Sequence, residues 1–342
     1  MDLTVIWFIL IVVLFTGFFI LEGFDYGVGG LMPFLSDDTK ERGEILRTIT
    51  PVWDGNEVWM ITAGGAMFAA FPHVYATMFS AFYLALFLML VALILRGVAF
   101  DLRGRHESVG WQKFWDRAIC FGSVVPAFLW GVAVTDLIAG IPINEKMIYT
   151  GGFFDLLSPY SIVGGLAFLF VFLYHGASFL TLRLAREKLI GRCQSMAIKV
   201  GGLATIFFVA CMGLTMQYTD LFTKPVATVA LCGAAVFFLV ALGSMKKGNG
   251  KASFCLSTLA IAATTVAFFA GLFPRLMVSS LNPAYSLTIT NASSSPYTLS
   301  IMTVAAGIFV PIVLIYQAWS YHIFRKRVTP KDAEEHYLYN EI

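Results

Sequence analysis

The sequence predicts an all-α polytopic membrane protein of nine transmembrane helices, with the N-terminus outside and the C-terminus in the cytoplasm. Three observations carry this. Of 342 residues, 58% are apolar and 13% charged, whereas about a quarter of the residues in a soluble domain are charged. Nine apolar runs long enough to cross a hydrocarbon core fall at about 5–30, 51–71, 74–96, 118–140, 161–183, 198–218, 225–244, 253–273 and 300–324. The segments between them divide the basic residues: 20 of 23 Lys and Arg lie on one side, with only Lys146, Lys224 and Arg275 on the other. The positive-inside rule then sets the orientation. A missed or extra helix would scramble that division. The chain reads as one integral membrane domain over 1–342, with a short polar cytoplasmic tail over about 325–342.

Helix one follows Met1-Asp2 without the basic n-region or small-residue cleavage site of a signal peptide, so it is expected to remain. Its inner half, LEGFDYGVGG, places Glu22 and Asp25 three residues apart on one face. Gly23, Gly27, Gly29 and Gly30 beside them favour close helix packing. The two carboxylates either mark an interfacial helix end or lie below the surface; the apolar run resuming at Val28 argues for depth.

Helix two is the most polar span. Thr50 suits an N-cap and Pro51 the first helical position, which predicts a helix of about 31 Å to Phe71 at roughly 1.5 Å per residue. Asp54 and Glu57 then fall in its first two turns on one face, at a depth where ionisable groups are costly and usually functional. Gly64, Gly65, Ala66, Ala69 and Ala70 predict a helix buried among others. Pro72 and His73 alone connect it to helix three, which implies a tight antiparallel hairpin. At the inner end of helix three, Arg96 and Asp101 bracket GVAF. Arg96 either snorkels or pairs with Asp25 or Asp54, and the sequence leaves that partner open.

Later helices offer less chemistry. Asp136, near the outer end of helix four, has no explanation in the sequence. His175 is the only one of five histidines well inside a span, and a hydrogen bond to a neighbouring helix is expected there before haem or metal ligation. Cys120, Cys193, Cys211, Cys232 and Cys255 show no metal spacing and read as small core residues. Trp111, Trp115, Trp319 and Tyr321 read as interfacial belt residues. The Ser-, Thr- and Asn-rich connection from Pro274 to Leu299 predicts an irregular cap over the outer face. A net charge of +2 gives no support to a nucleic-acid partner.

Glu22, Asp25, Asp54, Glu57, Arg96 and Asp101 all fall on the cytoplasmic half. Burial favours the neutral carboxyl and a nearby arginine favours the carboxylate, so such a cluster can accept and release protons. It therefore reads as a proton intake. A static polar network holding three helices in register is the competing reading.

The segments ILEGFDYGVGGLMPFL, PVWDGNEVWMITAGGAMFAAFPHVYATMFSAFYLAL and LILRGVAFDLR resemble, in order and spacing, subunit II of cytochrome bd-type quinol oxidases. GGLAFLFVFLYHGASFLTLR, SSLNPAYSLTITNASSS and TLSIMTVAAGIFVPIVLIYQAWSYHIFRKRV extend the resemblance over the chain, weakest between about Gly191 and Lys251. The resemblance implies a subunit of a quinol:oxygen oxidoreductase in the bacterial cytoplasmic membrane. It implies pairing with a homologous haem-bearing subunit I, usually with a very small single-helix subunit. Haem b, haem d and the quinol site are expected on subunit I, and a structural quinone occurs in subunit II of some members. The complex so implied reduces dioxygen to water and builds membrane potential without pumping, drawing its protons from the cytoplasm. Asp25 and Asp54, with Arg96 and Asp101, match positions on the implied proton path. A proton-coupled secondary transporter using the same carboxylates is the alternative; the odd helix number and the lack of paired broken helices speak against it.

Overall fold

The computed structural model describes residues 2–330, so most of the expected tail, including Lys331 and His336, lies outside the described residues. The helices are α1 (Leu3–Leu35), α2 (Thr39–Arg47), α3 (Trp53–Ala70), α4 (Pro72–Ala81), α5 (Tyr83–Leu102), α6 (Val109–Ala139), α7 (Pro159–Arg183), α8 (Glu187–Tyr218), α9 (Pro225–Lys246), α10 (Gly250–Leu272) and α11 (Pro296–Ile323). Strands β1 (Arg275–Met277) and β2 (Leu287–Thr288) pair antiparallel before α11. Among the described residues, eight helices are long and apolar enough to cross a membrane: α1 and α5 to α11, except that α5 is counted with the short turn that follows it. The 18-residue α3 falls outside that set, carrying Asp54, Asn56 and Glu57 in its first turns.

α1 is the central pillar. Asp2 caps it, its carboxylate accepting from the Thr4 amide, and the helix packs against α3, α6, α7 and α10. Every residue from Glu22 to Met32 is buried. The approach to α7 is backbone against backbone: a Cβ on Gly27 would lie 2.0 Å from the Phe172 carbonyl oxygen and 2.8 Å from Gly176 Cα. Glycine at both positions is thus what allows the inner half of α1 to be enclosed.

Several expected boundaries shift. α3 begins at Trp53 with Val52 at its N-cap, and no side chain caps it. Thr50 instead bonds back to the Leu46 carbonyl in the turn that follows α2, so it is not the cap of a helix from Pro51. α2, an amphipathic helix of 9 residues capped by Asp38, was not legible as an apolar run. Pro72 and His73 form the first turn of α4 rather than a two-residue loop, and the expected span 74–96 is broken at Phe82, where α4 gives way to α5. α6 and α8 start well before residues 118 and 198, as charged helical extensions on the basic side.

The two ends of the bundle have different fastenings. At one end the β1–β2 pair buries Leu276, Met277 and Leu287 beneath the connection expected to be irregular. Ser294 donates to the Ala70 carbonyl there, and Arg275 pairs with Asp220. At the other end, Arg42 and Arg103 both bind Asp116, at 3.0 and 2.6 Å. Glu41 takes Ser36 and Arg192 on one oxygen and Arg186 on the other, while Arg186 also reaches Glu44. Past α11, the Val328 amide donates to the Arg183 carbonyl at 2.7 Å.

Cys193 and Cys211 are buried as expected of core residues, but Cys232 and Cys255 are exposed on the bundle surface. α3 also departs from expectation: only Asn56, Ala63, Met67 and Ala70 are buried, and Gly64 and Gly65 face open space. Its small-residue face is bare in the isolated chain. α11 is barer still, with Leu299 its only buried residue.

Candidate functional site

Three helices converge on one fully buried arginine. α5 supplies Arg96, 1% exposed, and α1 supplies Glu22 and Asp25, both at 0%. Arg96 Nη1 donates to Glu22 Oε1 as an ion pair. This resolves the partner left open by the sequence in favour of Glu22, not Asp25 or Asp54. The guanidinium lies 4.9 Å from the Tyr26 ring centroid and 5.9 Å from those of Trp53 and Phe100. An aromatic cage attracts a cation and excludes water from its other faces. The absence of a side chain on α6 allows the approach, since a Cβ on Gly122 would fall 2.5 Å from both Arg96 Cβ and the Ala92 carbonyl.

α3 contributes a residue that the sequence analysis missed. Asn56, at 0% exposure, donates from Nδ2 to Asp25 Oδ2 at 2.7 Å. Its Oδ1 accepts from Gln317 Nε2 at 3.1 Å and the Tyr321 hydroxyl at 2.7 Å, both on α11. Tyr321 is thus part of a buried network and not an interfacial belt residue. The signal for Asn56 was its spacing: Asn56, Ala63, Met67 and Ala70 mark the inward face of α3, and Asp54 is off that face.

Glu57 is half-buried, within the field of Arg96 and Asp25. Asp54 is exposed on the first turn of α3, and Asp101 is exposed on the last turn of α5. The six expected residues therefore divide into an enclosed group (Glu22, Asp25, Arg96), a boundary residue (Glu57) and two exposed acids at the same end. Within the enclosed group, Glu22 Oε2, Asp25 Oδ1, and Arg96 Nε and Nη2 have no hydrogen-bond partner within the chain, while the Tyr26 hydroxyl faces the Trp130 indole. Buried polar atoms are rarely left so. Each carboxylate thus has one oxygen bonded within the chain, Glu22 to Arg96 and Asp25 to Asn56.

Two other buried titratable residues stand apart. His175 is sealed: Nδ1 bonds Ser257 at 2.7 Å, Nε2 bonds the Ile20 carbonyl at 3.2 Å, and the ring stacks on Phe254. With both nitrogens engaged, it does not fit an axial haem ligand. Asp136, at 5% exposure near the opposite end of the bundle, lies beside Ser161 and away from the Arg96 cluster.

The rim network around Asp116 differs in kind. Both Asp116 oxygens are taken by arginines. Burial works to raise the pKa of Glu41, but the Ser36 hydroxyl and the Arg192 and Arg186 guanidiniums outweigh it and hold the carboxyl below its ordinary range. At Glu44 burial prevails, pushing the carboxyl up.

The family model for cytochrome bd terminal oxidase subunit II matches residues 3–324. Cytochrome bd ubiquinol oxidase subunit 2 of Bacillus subtilis (strain 168) is 43% identical over 334 residues, covering 96% of this chain and 97% of that protein. Cytochrome bd-I ubiquinol oxidase subunit 2 of Escherichia coli (strain K12) is 34% identical over 372 residues, covering 98% of each. A chain in the structure of bd oxidase from Geobacillus thermodenitrificans shares the fold, with a TM-score of 0.76 at 17% identity, covering 95% of this chain and 100% of that one. The chain belongs to the cytochrome bd terminal oxidase subunit II family.

Proposed function

We propose that this subunit II scaffolds the haem-bearing subunit I of a quinol oxidase and supplies part of the path by which cytoplasmic protons reach the site of dioxygen reduction. The observation that carries the proposal is the enclosed pair of carboxylates around Arg96, each with one oxygen held and one free. Burying such a pair in a low-dielectric interior is costly, which is why ionisable groups held at that depth are by default functional candidates. Asp54 and Asp101, exposed at the same end, form the entrance, Glu57 the step inward, and Glu22 and Asp25 the loading sites. Arg96 stays charged and keeps the pair from both being neutral. Quinol gives its electrons, dioxygen takes them, and the membrane potential arises because the protons for water enter from the cytoplasm, without pumping.

In this reading α3 is the ninth span, the N-terminus is outside, and the whole described chain forms one integral membrane domain in the bacterial cytoplasmic membrane. Haem b and haem d are assigned to subunit I in this reading, and the engaged nitrogens of His175 agree with that. A very small single-helix subunit completes the complex. Membrane lipid and subunit I share the bare faces of α3, α5 and α11.

The test is Asp54→Asn alone and combined with Asp25→Asn in the assembled complex. Both changes keep side-chain shape and remove a titratable carboxyl. Oxygen consumption per haem should fall in each, and further in the double variant, with haem content normal. Unchanged consumption per haem in the double variant rules the proton role out for both residues.

A further inference from the structure

We infer that Asn56 is the positioning residue for Asp25, and that Gln317 and Tyr321 of α11 hold it in that role. The inference rests on the proton-intake reading above. A side-chain amide has a donor end and an acceptor end, and either could face a carboxyl group. Here the acceptor end is occupied twice, by Gln317 Nε2 and the Tyr321 hydroxyl, so the donor end is directed at Asp25 Oδ2. Turning the amide over would set its oxygen against the carboxylate, and would keep the α11 contacts only if the Gln317 amide turned with it and the Tyr321 hydroxyl became the acceptor. The two α11 side chains therefore favour the amide orientation that receives an ionised Asp25. Oδ1 of Asp25, which has no partner, is left as the oxygen on which a proton arrives.

The placement on α11 is the second observation. Around Gln317 that helix is apolar and exposed, with Val313, Leu314, Ile315 and Trp319 facing outward. A carboxamide and a hydroxyl on such a helix are costly in a membrane unless paired. Both are spent on one atom of one asparagine. At its other end the helix is fastened separately, by the Trp7 indole on the Leu299 carbonyl and Thr303. The groups that share Asp25's surroundings are Glu22 and Tyr26 on α1, Arg96 from α5, Glu57 from α3 and Tyr321 from α11, with Arg183 from α7 in the field of Tyr321. His175 of α7 bonds the Ile20 carbonyl, one turn away.

The distinguishing experiment is the pH profile of oxygen consumption per haem in the purified complex carrying Tyr321→Phe with Gln317→Leu. The variant removes two bonds to the neutral Asn56 amide and lets it withdraw its donor from Asp25. Since a hydrogen bond to a charged group corresponds to about one pH unit, the pH of half-maximal turnover should move upward by up to about that much. A merely structural pin would lower thermal stability and leave the profile where it was. That result overturns the inference. Should the double variant fail to assemble, Tyr321→Phe removes only a hydroxyl and should give roughly half the displacement; an unmoved profile there overturns it equally. If Asp25→Asn slows turnover while these profiles stay fixed, this inference alone falls. If Asp25→Asn also leaves turnover unchanged, the intake reading falls with it.

Discussion

Two networks of buried charge lie at the same end of this protein and obey opposite rules. In the rim network, Asp116 gives both oxygens to arginines, Glu41 gives both oxygens to donors, and only one oxygen of Glu44 is unmatched. In the enclosed network, four polar atoms on Glu22, Asp25 and Arg96 have no partner within the chain. A saturated carboxylate has little room for a proton, and its charge is best spent fastening α2, α6 and the turn after α5 together. A half-saturated one keeps a lone pair available. Under the proposed function, the first network is a fastening and the second an exchange site.

The largest expected effect comes from breaking the saturated network. Asp116→Ala strips two buried guanidiniums of the carboxylate they share, and removing one partner from a buried ion pair costs about 3–5 kcal/mol. The yield and melting temperature of the complex should drop severely, while the molecules that do assemble should keep normal turnover per haem. Slowed turnover in stable Asp116→Ala complex would erase the distinction between the networks.

Most of the fold was legible because apolar runs and basic connections are strong signals. The parts that were not have physical reasons. α2 and the basic-side starts of α6 and α8 are charged helices outside the apolar runs, so hydropathy passes over them. The break at Phe82 lies inside an unbroken apolar stretch and leaves no mark in composition. At the site, Glu22, Asp25 and Arg96 stood out as charges in an apolar background. Asn56, Gln317 and Tyr321 did not, because neutral polar residues in a helix announce no cost until their partners are seen. Asp54 lies outside the enclosed group for the converse reason. Its charge is conspicuous, yet its position on α3 faces away from the bundle.

A smaller effect sharpens the same comparison through pH. Glu41 has a folded pKa held below the ordinary 4.5 by Ser36, Arg192 and Arg186 against the opposing effect of burial. A depressed carboxylate contributes stability above its unfolded pKa and loses it as pH falls through the folded value. Acidification from pH 7 to below about pH 4 should therefore weaken the rim. Glu41→Gln should lower the melting temperature at neutral pH by about 1–2 °C, as for an ion pair whose arginine partners are partly exposed. The deficit should vanish at the acid end of a melting series. A deficit of constant size across that range would mean that Glu41 acts through packing and not through charge.

The central claim is that Asp25 carries protons inward, and the most direct measurement follows the proton itself. Fully reduced complex would be mixed with oxygen in the presence of a pH-sensitive dye, with haem oxidation and proton uptake recorded in the same shot. For Asp25→Asn, proton uptake should slow by about tenfold or more, equivalent to at least 1.4 kcal/mol in the barrier, while the electron-transfer steps that need no proton keep their rate. Proton uptake at the unaltered rate, in a complex with full haem content, would contradict the account and leave the carboxylate pair a structural feature only.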